Sequence, residues 1–234
     1  MVYITGDEHR DFSRYKYFHL YEEDLLIILG DSCINYYRDI TDRALKEELK
    51  KLKNSFFLVR GNHEERPENI DTYKEVDMFG GKVYIEEEYP NLIFAKDGEI
   101  YNIDNTRILV IGGAYSVDKE YRLRNNMPWF PSEQLTLDER SNIYHKVKGE
   151  HFDIVLSHTC PLKYEPREVF LKGINEAKVD KTMEKFLDVI EESISYDKWY
   201  CGHFHTEKQI DKMEFMFKEV KSFKRGKEYI KFIK

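Results

Sequence analysis

The chain holds 234 residues, 37 of them basic and 44 acidic, for a net charge of −7 at pH 7 with histidine neutral. That length builds one domain with its own core and no need of disulfides, and the acidic balance lacks the broad basic footprint of a nucleic-acid binder. Its longest aliphatic run, Leu25 to Leu29, falls far short of the roughly 20 apolar residues that span a membrane as a helix.

Val2-Tyr3-Ile4 reads as an opening strand that runs straight into Gly6-Asp7-Glu8-His9, so no signal peptide is expected ahead of it. Leu25 to Leu29 is a second buried strand, followed at once by Gly30-Asp31. From Ile40 to Leu52 the spacing turns helical, with Ile40, Ala44, Leu45, Leu49 and Leu52 on one face and Lys and Glu opposite. Phe56 to Val59 is a third strand, leading to Gly61-Asn62-His63-Glu64. The middle is β-rich: Lys82 to Glu86, Leu92 to Ala95, Glu99 to Ile103 and Thr106 to Ile111 read as strands, with turns at Tyr89-Pro90-Asn91, Lys96-Asp97-Gly98 and Asp104-Asn105.

The stretch from Gly112-Gly113 to Trp129-Phe130-Pro131 has neither helical nor strand period, yet it concentrates Tyr115, Tyr121, Arg122, Arg124 and Trp129. A long irregular segment in a compact domain is usually functional or disordered, and its aromatics argue against disorder. It reads as a lid or pocket wall, or else as a surface loop pinned by aromatic packing. Further on, Ile154 to Leu156 leads to Ser157-His158, and Val179, Met183, Phe186, Leu187, Ile190 and Ile194 form a helical stripe. Trp199-Tyr200 then leads to Gly202-His203-Phe204-His205, and Met213 to Phe217 and Tyr229 to Ile233 return to strand composition. No repeat, low-complexity stretch or linker interrupts the chain. The expectation is a single α/β domain over residues 1–234, with two mixed sheets packed as a sandwich and helices on the outer faces.

Each of the five polar motifs lies where a strand gives way to a loop, the usual place for a site in a layered α/β domain. Their side chains supply carboxylate oxygens, imidazole nitrogens and an amide carbonyl, without thiolate. Such a set suits Mn, Fe, Zn, Co or Ni better than Ca or Mg. Two ions roughly 3.5–4 Å apart clamp a phosphoryl group and activate a bridging water, and an aspartate fits the bridge because each oxygen serves one ion. The plainer alternative is that the histidines are polar core residues and Asp7 and Asp31 cap helices.

The order Asp7-x-His9, Gly30-Asp31, Gly61-Asn62-His63-Glu64, His158 and Gly202-His203-x-His205 resembles that of the calcineurin-like metallophosphoesterase family, over almost the whole chain. The resemblance implies that family's sandwich fold and a phosphoesterase that cleaves a phosphomonoester or phosphodiester by in-line attack of a metal-bridging hydroxide. It assigns Asp7, His9 and His205 to one divalent ion and Asn62, His158 and His203 to the other, with Asp31 between them. Manganese leads the choice of ion. His63 would act on the substrate rather than hold metal. A nuclease or nucleotide phosphodiesterase is the nearest alternative, although net charge does not indicate a nucleic acid. A non-catalytic scaffold on the same fold is a further one, opposed by the presence of every histidine.

Two departures from the family pattern bear on these expectations. Arg10 stands where glycine is common, and either reaches phosphate with its donor fork or lies in solvent. Ile34 stands where protein Ser/Thr phosphatases carry the aspartate that partners the catalytic histidine, which weakens that substrate class and an acid role for His63. Candidate substrate contacts are Arg10, Tyr115, Arg122, Arg124 and Trp129, and Arg60 and Arg66 are further basic residues near the motifs. Cys33, Cys160 and Cys201 are odd in number and lack paired spacing, which suggests a reducing, cytoplasmic setting. All three sit beside the motifs, where cysteine packs well as a small buried residue.

Overall fold

Side chains alternate between the two faces of a strand, and in the computed structural model, which describes residues 1–16, 21–222 and 231–232, both faces of each central strand are covered. The strands are β1 (Val2–Thr5), β2 (Leu25–Ile28), β3 (Ser55–Leu58), β4 (Tyr73–Met78), β5 (Gly81–Glu86), β6 (Tyr89–Ala95), β7 (Glu99–Ile103) and β8 (Thr106–Ile111). They continue with β9 (His151–Ser157), β10 (Ser195–Cys201), β11 (Lys208–Ile210), β12 (Met213–Phe215), β13 (Val220–Ser222) and β14 (Lys231–Phe232). The helices are α1 (Ile40–Lys50), α2 (Lys119–Arg124), α3 (Leu137–Val147) and α4 (Thr182–Ser193).

One sheet has the order β14-β13-β1-β2-β3-β6-β5-β4, the other β11-β12-β10-β9-β8-β7. In each, a parallel centre is flanked by antiparallel strands. Ile4, Ile27 and Phe57 from the first sheet meet Ile108, Ile154 and Tyr200 from the second in one shared core. The intervening residues face outward. Leu26, Phe56 and Leu58 pack with Leu49 of α1, while Leu109, Val155 and Trp199 pack with Val147 of α3 and Leu187 of α4.

Register places the site. In the first sheet Thr5 pairs with Ile28 and Ile28 with Leu58, so three parallel strands end level. In the second, Ser157 is paired with both Ile111 and Cys201. The loops leaving β1, β2, β3, β9 and β10 therefore meet along one edge of the sandwich.

Several expectations need correction. Asp42 and Lys46, not Ile40 and Ala44, turn inward on α1, because Asp42 accepts from Arg10 and the Arg38 N–H and Lys46 pairs with Glu86 at 2.5 Å. Ile40 is 70% exposed. Tyr89-Pro90-Asn91 is strand rather than turn; pairing with β3 starts at Leu92, so the missing Pro90 N–H breaks no bond there. Helix α2 lies inside the stretch read as irregular. Strand β4 and helix α3 were not anticipated. The expected strand Tyr229 to Ile233 is seen at Lys231–Phe232, and its other residues lie outside those described. No helix among the described residues is long and apolar enough to cross a membrane.

Candidate active site

The seven expected ligands converge on that edge. Ligand atoms of Asp7, His9 and His205 lie within 4.8 Å of one another, as do those of Asp7, Asp31 and His158. Nε2 of His205 is 3.2 Å from Asp7 Oδ2 and 2.8 Å from Nε2 of His9. His158 Nε2 is 2.9 Å from Asn62 Oδ1 and 3.5 Å from Asp31 Oδ1. The His203 ring packs edge-on to His158, and the backbone N–H of His203 donates to Asp7 Oδ1 at 3.0 Å. Asp7, rather than Asp31, is the carboxylate common to both three-residue clusters.

Backbone geometry makes this approach possible. Gly30 adopts φ +102°, and a Cβ there would lie 2.0 Å from Nδ1 of His158. At Gly61 a Cβ would lie 2.0 Å from Asp31 Oδ1. Larger residues are excluded at both. His9, Asp31, His203 and His205 themselves have φ of 45°, 45°, 67° and 49°. Such conformations cost about 1–3 kcal/mol each in non-glycine residues and gather where function holds them.

The donor set fits a divalent ion. The Nδ1–H of His158 donates to the Leu29 carbonyl at 2.8 Å, which leaves Nε2 facing two oxygens of Asn62 and Asp31. A nitrogen lone pair among acceptors calls for a proton or a cation. Without an ion, burial lowers the His158 pKa but the Asp31 and Asp7 carboxylates outweigh it and raise it to about 9. Burial opposes ionisation of Asp31, yet His158 and His63 hold its carboxyl well below the usual range. Burial, with His158 beside it, lowers His203 to about 3 and so keeps it a neutral donor. Burial lowers His9 as well. Metal ligation requires neutral imidazole: burial favours that form at His203 and His9, whereas a bound cation would have to displace the proton that Asp31 and Asp7 hold on His158.

Around the ligands lies a brace that the motifs only partly disclosed. Glu64, fully buried, accepts from the N–H of Gly61 at 3.0 Å, the N–H of Cys33 at 3.1 Å and the Ser32 hydroxyl at 2.5 Å. It ties the loop after β3 to the loop after β2. Asn62 donates through Nδ2 to Ser116 Oγ at 2.9 Å, and Ser116 donates to Glu133 at 2.5 Å, so the Asn62 carbonyl is aimed at His158. Asp118 Oδ1 stands 4.0 Å from His63 Nε2. The motif order offered a hint only for Glu64.

Of the proposed substrate contacts, Tyr115 lines the cavity beside the ligands and the others do not. Arg10 is held by Asp42 at 2.5 Å, the Cys33 carbonyl at 2.7 Å and the Thr41 carbonyl at 3.0 Å. Arg122 is fully buried against Ser116 and Asp118. Trp129 donates to Glu133 at 2.9 Å, and Arg124 bonds back to the Glu120 carbonyl at 3.0 Å. Arg60 is forked onto Asp97, and Arg66 pairs with Glu139. Arg10, Arg60, Arg66 and Arg122 are thus paired with carboxylates of the protein, while Arg124 meets only a backbone carbonyl. Thus the 112–131 segment is a pocket wall at Tyr115, Val117 and Asp118 and a buttress elsewhere.

The cavity measures about 410 Å³ and includes His9, Asp31, Asn62, His63, His203 and His205 in its lining. His63 projects into it from the loop after β3, its ring stacked on Tyr36 at 6.2 Å and 21°. The family described as calcineurin-like phosphoesterase matches residues 1–207. Among solved structures, a phosphopantetheinyl hydrolase from Mycobacterium tuberculosis is similar at 12% identity and a TM-score of 0.45, covering 92% of this chain and 87% of its own. No curated protein matches the chain.

Proposed function

The chain belongs to the calcineurin-like phosphoesterase family of metal-dependent hydrolases, and on that premise we propose that it holds two divalent ions and cleaves a phosphate ester at the cavity. Asp7, His9 and His205 hold one ion. Asn62, His158 and His203 hold the other. Asp31 bridges them, a role supported by the pull of His158 on one side and His9 on the other upon its carboxyl. The single observation that carries the reading is the convergence of these seven side chains, drawn from five loops, on one cluster that is buried at Asp7, Asp31 and His158 and opens to a cavity at His9 and His205.

When bound, two such ions supply Lewis acidity toward phosphoryl oxygens and lower the pKa of water. The chain's own residues do the rest. Asp31 accepts the His63 N–H at 2.9 Å, which fixes the turn so that Asn62 faces inward and the His63 ring faces the cavity. His63, whose ring lines the cavity, protonates or steadies the departing oxygen. The thiolate-free ligand set supports manganese as the preferred ion. Three free, buried cysteines support a reducing, cytoplasmic setting.

The test is chelation followed by reconstitution, with metal content and hydrolysis of phosphomonoesters and phosphodiesters followed together. We expect two ions per chain and recovery strongest with manganese. Hydrolysis that persists in chelator, or saturates at one ion per chain, would overturn the dinuclear reading.

A further inference from the structure

Half of the cavity is not polar. Phe204, between the two ligand histidines His203 and His205, lies edge-on to the His203 ring at 5.0 Å and stacks on Phe170 at 6.1 Å and 10°. From there Val169, Leu171, Ile174 and Val179 extend the apolar lining, and Val117 faces the same space. Val169, Leu171 and Ile174 remain 37%, 66% and 37% exposed. Side chains left that open beside a polar cluster mark a binding surface more readily than a core. The charged groups point the same way. Asp118, Glu176 and Glu184 line the cavity, and Lys181, its one lining lysine, is taken by Glu165 at 2.6 Å. No unpaired cation in that lining is placed to meet a second anionic group of a substrate.

We propose that the apolar wall of Phe170, Leu171, Ile174, Val179 and Phe204 receives the alcohol part of the substrate, so that the preferred phosphate ester carries an uncharged, apolar leaving group. The assignment rests on the phosphoesterase reading above and deepens it. The phosphoryl end meets the histidine and aspartate cluster, and the hydrocarbon body lies along the wall that begins at Phe204. Nucleotides and other substrates with several anionic groups meet three carboxylates instead.

The experiment compares kcat/KM for 4-methyl-, 4-ethyl-, 4-propyl- and 4-butylphenyl phosphate with the metal-loaded full chain. Leaving-group acidity is nearly constant in this series, so the trend reports burial. A buried methylene is expected to raise kcat/KM about fourfold. Ile174→Asp and Leu171→Asp, both at exposed positions, should flatten the trend. Calorimetry on the metal-free protein gives a second readout: 4-butylphenol should bind more tightly than 4-methylphenol, and Ile174→Asp should abolish the difference. Turnover with a flat series, or a nucleotide preferred over the butyl ester, overturns the apolar subsite and leaves the phosphoesterase standing. Failure to hydrolyse any phosphate ester with any ion overturns both.

Discussion

Nε2 of His63 lies 4.0 Å from Oδ1 of Asp118, a carboxylate supplied by the segment after β8. The loop after β2, where related phosphatases are expected to place such a group, has Ile34 instead, buried among apolar side chains. The same Asp118 oxygen is 3.1 Å from Nε of Arg122, which fixes its position. Asp118 thus stands as near the His63 ring as Asp31 Oδ2 does, each at 4.0 Å, and it comes from another part of the chain.

Asp118→Asn removes that charge and keeps the shape. Asp118 is 38% exposed, so solvent screens the pair, and at this separation the effect is nearer about 1–2 kcal/mol than the larger value of a dry interior. Turnover should fall about 5- to 30-fold with metal content unchanged. Unaltered turnover would leave Asp118 a loop brace only.

His63→Ala should retain both ions and lose about 10²–10⁴-fold in kcat for esters with poor leaving groups. Activated aryl esters, which hardly need a proton at the departing oxygen, should lose less. Elemental analysis decides the role: metal lost together with activity would make His63 a ligand.

Asp31→Asn and Asp7→Asn separate the two carboxylates. If Asp31 bridges, its variant loses both ions and the Asp7 variant chiefly one. Because Asp7 is the residue common to both geometric clusters, the reverse result would transfer the bridge to Asp7.

Gly61→Ala adds a methyl group where Asp31 Oδ1 already sits, at 2.0 Å. Overpacking of this kind costs about 1–3 kcal/mol. The larger effect should be on the site, since either the loop after β3 or the Asp31 side chain must move. Metal affinity should drop well beyond what the loss in melting temperature suggests. A fully loaded, active Gly61→Ala protein would contradict the placement of Asp31.

Burial raises the Glu64 carboxyl to about 7, against the opposing pull of its hydrogen bonds from Ser32 and Gly61. A carboxyl whose folded pKa exceeds its unfolded value contributes stability that is complete below about pH 4.5 and is lost as pH rises through 7. Over that window the metal-free protein should lose about 2–3 kcal/mol from this group. Urea midpoints at pH 5 and pH 8 measure it, and Glu64→Gln should remove this part of the difference. An equal midpoint difference in the variant would place the pH dependence elsewhere.

Strands β1, β2, β3, β9 and β10 could be read from the chain because parallel strands buried on both faces appear as unbroken apolar runs, and the ligands follow those runs directly. Strand β4 could not. Of its residues Tyr73–Met78, Lys74, Glu75 and Asp77 are exposed and the other three only half-buried, and pairing with β5 holds them in place. Helix α3 buries only Ile143 and Val147, too narrow a stripe to stand out, although Thr136 and Glu139 form a capping box that marks its start. The arginines were harder still. Nothing local reveals that Arg60 answers Asp97 or that Arg10 answers Asp42, because each partner is distant in the chain and a charge in a sequence does not name its counterion.

Strand β1 gains one of its two neighbours only from the far end of the described residues. β1 lies between β2 and β13, with Tyr3 opposite Ser222, and His203 and His205 follow it by nearly 200 positions in the chain. On a ribosome, Asp7, His9, Asp31 and Asn62 emerge long before the histidines that share their cluster. Contacts so remote in sequence form slowly, and in a chain not yet folded the carboxylates of Asp7 and Asp31 stay hydrated, becoming buried only when the second sheet docks. Assembly of the site is thus a late event in the life of each molecule, and catalytic competence reports that the whole sandwich has closed.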